Sequence, residues 1–219
     1  MQNWKEEEAP MHVPGGPTAA LDIQPFDEAL AASLEPSDTY DAGRWLYVPN
    51  TYGEYRYLLG TRGQRPLICV GINPSTAAPD RLDNTLKSVE RVALGNGYDS
   101  FLMFNVYAQR STRPRDLEER CNSRLHRENL AAFAYALSLS PAPALWAAWG
   151  TIIEARPYLL PCLRDLIALG EGAGARWYTA GPRSKRGHPH HPLYLRKDSI
   201  LEPFDPAAYL AALAGQQAG

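Results

Sequence analysis

The stretch PLICVGINPS, residues 66–75, decides the fold. Its first seven residues form an uninterrupted apolar run, which is typical of a strand buried on both faces of a parallel sheet. Polar Asn73 follows at once, between a glycine-containing turn and Pro74. Parallel sheets bind their ligands at the carboxyl ends of their strands, so Asn73 stands where a functional side chain is expected.

Three further apolar runs predict strands of the same kind, and amphipathic stretches between them predict helices. Alternating strands and helices indicate βαβ units around a central, mostly parallel four-stranded sheet, which is an α/β fold. A predicted hairpin over 44–59 precedes them and is able to extend the sheet edge. The remaining predicted strands are 101–106, 144–150 and 175–180, and the helices are 26–34, 83–95, 125–137, 151–169 (interrupted by prolines) and 206–214.

The length and composition exclude several classes of protein. A chain of 219 residues suits one domain with a full core. Its three cysteines form no CxxC pair, which predicts a reducing, cytoplasmic setting and argues against an iron–sulfur cluster. Neither an apolar run of membrane-spanning length nor a signal-peptide pattern is present in the sequence. We expect a monomer with no cofactor, no metal and no membrane partner.

The charge divides the chain into an acidic leader and a basic body. Residues 1–41 carry a net charge of −8 and the rest of the chain carries +6, almost all of it from arginine. Arginine suits phosphate, so the body favours a polyanionic partner, DNA or a nucleotide. The alternative explanation is that the high arginine content reflects a GC-rich genome. We treat 1–43 as an acidic, largely irregular segment, either a tail or a screen over a basic face, and 44–219 as a single domain.

Two asparagines at predicted strand ends, Asn73 and Asn105, are candidates for a chemical role. The Asn73 amide can orient a water molecule, or it can simply close a turn. Asn105 lies inside an apolar strand, where an unpaired amide costs about 1–3 kcal/mol. It therefore needs a partner, which is either the edge of a bound base or the neighbouring backbone.

A histidine-rich loop follows the last predicted strand. His188, His190 and His191 share the loop 181–195 with three basic residues. A metal site is disfavoured because adjacent histidines diverge and the loop contains no carboxylate to complete a site. The loop can instead donate to developing negative charge or to phosphate, or it can be a solvated basic loop.

Taken together, four segments resemble the uracil-DNA glycosylase-like superfamily. GINPS at 71–75 is similar to the GINPG motif of its mismatch-specific uracil/thymine branch, and FNVYAQRSTRPRDL at 104–117 is similar to that branch's following strand and loop. LWAAWG at 145–150 and HPL at 191–193 are similar to motifs of the uracil branch. The whole pattern also resembles an uncharacterised bacterial domain-of-unknown-function family with NPSTA, WG and HPLYL motifs.

The resemblance implies a three-layer α/β/α sandwich and hydrolysis of the N-glycosidic bond to a base flipped out of DNA. Asn73 matches the residue that aligns water, although the uracil branch has Asp there. His191 matches the histidine that stabilises the departing base, and Asn105 the asparagine that reads it. Other substrate-binding positions are Gly71, Ile72, Pro74, Ser75, Tyr107, Pro192 and Leu193. Expected nucleic-acid contacts are Arg110, Arg113, Arg115, Arg183, Lys185, Arg186 and His188.

Some positions depart from the family pattern and keep other functions open. Asp83 and Asn84 have no counterpart in it and indicate a different substrate or a different base. The ring that stacks on the base stays open among Tyr98, Phe101, Phe104 and Tyr107. One alternative function is the same chemistry, or a transfer, on a free or hypermodified nucleotide. Another is a nucleic-acid or nucleotide binder that has lost catalysis.

Overall fold

The computed structural model describes residues 10–217, and the acidic residues 6–8 of the leader lie outside this range. The helices of this part are Phe26–Leu34 (α1), Asn84–Gly95 (α2), Ser123–Ser138 (α3), Leu159–Gly172 (α4) and Pro206–Gln217 (α5). Its strands are Trp45–Val48 (β1), Leu58–Thr61 (β2), Pro66–Gly71 (β3), Ser100–Asn105 (β4), Ala144–Ala147 (β5), Arg176–Ala180 (β6) and Leu201–Pro203 (β7).

All the strands belong to one mixed sheet of order β1-β2-β4-β3-β5-β6-β7. The prediction of a four-stranded sheet is wrong, because the sheet has seven strands. The four predicted strands form its parallel centre, β4-β3-β5-β6. The β1–β2 hairpin adds to the β4 edge and β7 adds to the β6 edge, both antiparallel. The mixed α/β class and the hairpin extension are therefore confirmed.

Successive residues of the central strands point into two separate cores. Ile68, Val70 and Leu102 face a core shared with α1, α3, α4 and α5. Leu67, Cys69 and Phe101 face a core shared with α2. This alternation follows from the two-residue period of a strand. Helices consequently cover both faces of the sheet, and the face that carries α2 is here named the α2 face.

Local capping explains where the helices begin. Asp83 is the N-cap of α2, and its Oδ1 accepts a hydrogen bond from the Leu86 amide at 2.9 Å. Pro161 lies in the first turn of α4, where a missing N–H leaves no intrahelical bond unmade. The predicted interruption instead falls at Pro157, which lies between a short 3₁₀ turn, Gly150–Glu154, and the start of α4.

The described part of the leader packs against the domain. Apart from a 3₁₀ turn and α1, it is irregular, as expected. Ile23, Phe26 and Ala29 are nevertheless buried in the larger core. The boundary at residue 43 therefore divides the chain by amino-acid composition, but residues on both sides of it belong to the same core.

Candidate functional site

Three neighbouring strands bring the predicted strand-end residues to one edge of the sheet. Gly71 pairs in register with Asn105, and the backbone pairing continues past both strands, with the Val106 amide donating to the Gly71 carbonyl at 2.9 Å. On the other side of β3, the Ala148 amide donates to the Val70 carbonyl at 3.0 Å. The carboxyl ends of β4, β3 and β5 therefore lie side by side, which we name the strand-end edge.

Asn105 is the most unusual side chain of this edge. It is 1 % exposed, and neither its amide nitrogen nor its amide oxygen has a hydrogen-bond partner within residues 10–217. A Cβ built on Gly71 would lie 3.1 Å from its Oδ1 and would collide with the tip of Met103. The absent side chain of Gly71 therefore leaves room that only a flexible methionine fills. The backbone carbonyl of Asn105 is bonded by the Asn129 amide at 3.0 Å, so only the side chain lacks partners.

Asn73 has a fixed orientation at the end of β3. Its Nδ2 donates to the carbonyls of Ser111, at 2.7 Å, and Pro74, at 3.0 Å. Because carbonyls accept only, these two bonds settle which end of the amide is nitrogen. Oδ1 therefore points the other way, as an acceptor for a water proton.

His191 lies at the end of β5, where the histidine loop 181–195 passes over the sheet. A Cβ built on Gly150 would lie 3.6 Å from the His191 Cβ, and Gly150 has a positive φ of 59°. The His191 Nδ1 accepts the Leu193 amide at 3.3 Å, which leaves the ring proton on Nε2. Burial lowers the pKa of His191, and His190 lowers it further against an opposing effect of Asp83. His191 is therefore a neutral Nε2–H donor at pH 7.

The histidine loop is fixed to the α2 face. The Ser88 hydroxyl donates to the Pro192 carbonyl at 2.8 Å, and Arg91 donates to the Leu195 carbonyl at 3.1 Å. Asn105 and Gly71 continue the positions of β4 and β3 that face α2. His191 and Asn105 consequently belong to the same side of the sheet.

Two buried arginines, Arg56 and Arg110, lie beside this edge. Arg56 was not among the residues predicted from the sequence. Arg56 is 1 % exposed and Arg110 is 0 % exposed, and both donate to the Ala77 carbonyl, at 3.1 and 3.3 Å. Burial lowers the pKa of Arg56 to about 9, which leaves it charged at pH 7. Asp83 favours the charged forms of both Arg56 and His191, so its carboxylate lies within electrostatic range of each. A charged residue inside the apolar run YRYLL was the signal available for Arg56.

Tyr107 and His188 do not lie where we predicted. The Tyr107 hydroxyl bonds to Glu118 and accepts the Asn122 amide at 2.9 Å, so its hydroxyl is already used within the protein. His188 is 1 % exposed, and its Nδ1 lies 2.8 Å from the Tyr209 hydroxyl. Burial thus removes His188 from any surface that touches a nucleic acid. The stacking candidates Phe101 and Phe104 are likewise fully buried in the two cores.

The predicted basic contacts separate into three groups. Arg113, Arg115, Arg183 and Lys185 are exposed. Arg186 is exposed too, but it pairs with Glu154 and donates to Gln216 at 3.2 Å. Arg110 is buried, so the prediction that it lies on a nucleic-acid surface is wrong. The other predicted substrate positions divide similarly, with Ile72, Pro74 and Pro192 buried, and Ser75 and Leu193 half-buried.

Two surface cavities lie away from the strand-end edge. One, of about 400 Å³, is lined by residues between Leu34 and Arg62, and the other, of about 300 Å³, by residues between Ile153 and Leu213. Neither is lined by Asn73, Asn105 or His191. Within residues 10–217 the His, Cys, Asp and Glu side chains form no group of three suited to a metal ion. No helix in that range has the length and apolarity to cross a bilayer.

The fold and the site define a mixed α/β protein with polar groups at the carboxyl ends of its central parallel strands. Residues 56–193 match the family described as Protein of unknown function (DUF1643), and the chain belongs to that family. No curated protein matches the chain. No solved structure matches it either.

Proposed function

We propose that this protein hydrolyses the N-glycosidic bond between a pyrimidine base and its sugar, with a base flipped out of DNA as the first candidate substrate. The observation that carries the proposal is Asn105, a buried side-chain amide whose donor and acceptor both lack partners in the described part of the chain. An orphaned polar group of this kind costs stability, so it persists most readily where a ligand satisfies it. The edge of a pyrimidine offers a matching acceptor and donor side by side.

Asn105 can bind the edge of a base only after a small rearrangement of the neighbouring Met103 side chain. Asn105 is 1 % exposed, and the tip of Met103 fills the space beside Gly71. A base therefore reaches the amide only after Met103 changes rotamer, which its unbranched side chain permits. Flipping itself costs a few kcal/mol, least for a mispaired or damaged base, and this adds to the selection.

His191 supports the departure of the base. As the glycosidic bond breaks, its electron pair leaves with the base, and negative charge develops on the base oxygen. A neutral Nε2–H beside that oxygen stabilises the charge through a preorganised hydrogen bond. The lowered pKa of His191 keeps this donor neutral, so the ring need not lose a proton between turnovers.

Water attack on the sugar uses Asn73 and a carboxylate. The outward Oδ1 of Asn73 holds one water proton, and the water oxygen forms the new bond to the anomeric carbon. An amide is a poor base, so we assign acceptance of the released proton to Asp83, whose Oδ1 already caps α2. Asp83→Asn preserves the cap and removes the charge, so loss of turnover without loss of stability is the expected result.

Oligonucleotides test the substrate. Purified protein is incubated with single- and double-stranded DNA that carries uracil, thymine mismatches or modified pyrimidines, and alkali-labile sites are counted. Cleavage that depends on Asn105 supports the proposal. Salt-sensitive binding without cleavage on any substrate contradicts it and identifies a binder. Reversal of the exposed Arg183 and Lys185 should weaken binding equally for all sequences, because phosphate contacts carry no base information.

A second candidate is the same hydrolysis on a free nucleotide. The observation that favours it is the burial of Arg56 and Arg110, two cations suited to a small anion rather than to an exposed DNA backbone. Mass spectrometry of a nucleotide panel after incubation distinguishes this candidate from the first.

A further inference from the structure

The side chains of Arg56 and Arg110 place two positive charges next to each other inside the protein. Both guanidinium groups donate to the same carbonyl oxygen, that of Ala77. Within residues 10–217 neither has a carboxylate within 4.0 Å. Asp83 acts on Arg56 only through its more distant charge. Burial lowers the pKa of Arg56, and the neighbouring Arg110 cation lowers it further, so the charge of Arg110 opposes that of Arg56.

The hydrogen bonds of the pair are incomplete. Arg110 uses its terminal nitrogens on the carbonyls of Ser75 and Ala77 and on the Tyr47 hydroxyl, the last at 3.1 Å. Arg56 uses Nη1 alone. The Nε atoms of both residues are buried without a partner in the described part of the chain. Two buried donors therefore remain for an acceptor outside residues 10–217, and a bound ligand is such an acceptor.

A purely structural role accounts less well for this arrangement. Arg156 shows what such a role looks like in the same molecule, since it binds the carbonyls of Arg115, Leu117 and Glu118. Its Nε is bonded, and its side chain is only partly buried. Arg56 and Arg110 hold fewer carbonyls, keep Nε free and carry a larger desolvation cost.

We propose that Arg56 and Arg110 bind the terminal phosphate of a nucleotide. A phosphate monoester carries close to two negative charges, so it neutralises both cations, and its oxygens match the guanidinium fork. An internal phosphodiester carries one charge and needs space for a chain on both sides, which residues 0–1 % exposed do not offer. The inference rests on the proposed function only in making the ligand a nucleotide.

The position of the pair suits that ligand. Arg110 directly precedes Ser111, whose carbonyl accepts the Asn73 amide at 2.7 Å. The phosphate site therefore adjoins the residue proposed to hold water, on the same face as Asn105. The Tyr52 ring, 45 % exposed, covers Arg110 with its centroid 4.2 Å from the guanidinium carbon. Tyr52 is the side chain that a ligand has to displace.

Calorimetric titration tests the site without any need for turnover. The probes are inorganic phosphate, deoxyuridine monophosphate and deoxyuridine, each added to wild type, Arg56→Gln, Arg110→Lys and the control Arg156→Gln. We expect both phosphate-bearing probes to bind wild type and Arg156→Gln. We expect about 10- to 100-fold weaker binding to Arg56→Gln and Arg110→Lys, because a charge-assisted bond or the planar fork is lost. Arg110→Lys retains the charge, so it stays informative even where Arg56→Gln unfolds.

The outcomes separate this inference from the proposed function. Equal binding of phosphate to wild type and both variants overturns the inference. So does equal affinity of wild type for deoxyuridine monophosphate and for deoxyuridine. A 5′-phosphate that strengthens oligonucleotide binding only when Arg56 is present supports it and makes a nucleic-acid end the source. Arginine-dependent nucleotide binding with no hydrolysis upholds the phosphate site while refuting the proposed function.

Discussion

Two clusters of buried polar side chains in this molecule differ in how fully their hydrogen bonds are made. Around Glu118 every donor has an acceptor: the carboxylate accepts the Thr18 amide and hydroxyl and the Tyr107 hydroxyl, and the Glu118 amide donates to Gln109. At the strand-end edge, the side chain of Asn105 has no hydrogen-bond partner among residues 10–217. A satisfied network stabilises a fold, whereas an orphaned one costs stability and is typical of a binding site. The first cluster therefore stabilises the fold, and the second is the one that we propose binds a ligand.

We expect the largest effect on catalysis from substitution of His191. His191→Ala should lower the hydrolysis rate about 10²–10³-fold, since it removes the donor to the departing base. His126→Ala is the control, because His126 lies on α3 and bonds Asp165 at 2.8 Å, away from the edge. Single-turnover kinetics measure both variants. Equal rates for His191→Ala and wild type would contradict the assignment.

Asn105→Leu should separate activity from stability. We expect a loss of about 10- to 100-fold in turnover, because a base-reading pair of hydrogen bonds disappears. The free energy of unfolding should stay within about 0.5 kcal/mol of wild type or rise, because an unpaired buried amide is exchanged for an apolar group. Urea unfolding and kinetics on the same preparation provide the two readings. A large loss of stability would mean that the Asn105 amide has a structural partner after all.

Tyr107→Phe should give the opposite pattern. It leaves Glu118 and the Asn122 amide without their shared partner, at a cost of about 1–3 kcal/mol in unfolding free energy. Turnover at a temperature well below the unfolding midpoint should be retained. Urea unfolding measures the loss of stability. A marked loss of turnover in the folded variant would contradict a purely structural role for Tyr107.

The smallest expected effect is a dependence of stability on pH. Burial lowers the pKa of both His188 and His191 in the folded state. The unfolded chain therefore binds more protons once the pH falls below the ordinary histidine value of about 6.5. The free energy of unfolding should fall between pH 7.5 and 5.5, and it should fall less in the double variant His188→Asn/His191→Asn. Equal pH slopes for the two proteins would contradict the shifts.

Much of the fold was predictable because its elements are local. Continuous apolar runs identified the parallel centre, and helical spacing identified α2 and α3. β7 was not predictable: Leu201–Pro203 has only three residues, and its strand state depends on pairing with β6. The total of seven strands follows from that pairing and from the pairing of the hairpin with β4, and a single segment encodes neither pairing.

Residues of the candidate site were predictable from the sequence only where a polar segment follows a predicted strand. Asn73, Asn105 and His191 were identified in this way, and the topology brings their segments to neighbouring strands. Burial was the missing information elsewhere. Arg110, Tyr107 and His188 occur in polar-looking loops, yet tertiary packing places all three inside the protein.

The most direct test of the central claim is a crystal structure of the protein soaked with a free pyrimidine base. We expect the base to lie against Gly71, with its edge within about 3.2 Å of both amide atoms of Asn105 and with the Met103 side chain displaced. A base bound elsewhere, or an Asn105 amide that still faces only protein at saturating base, would contradict it.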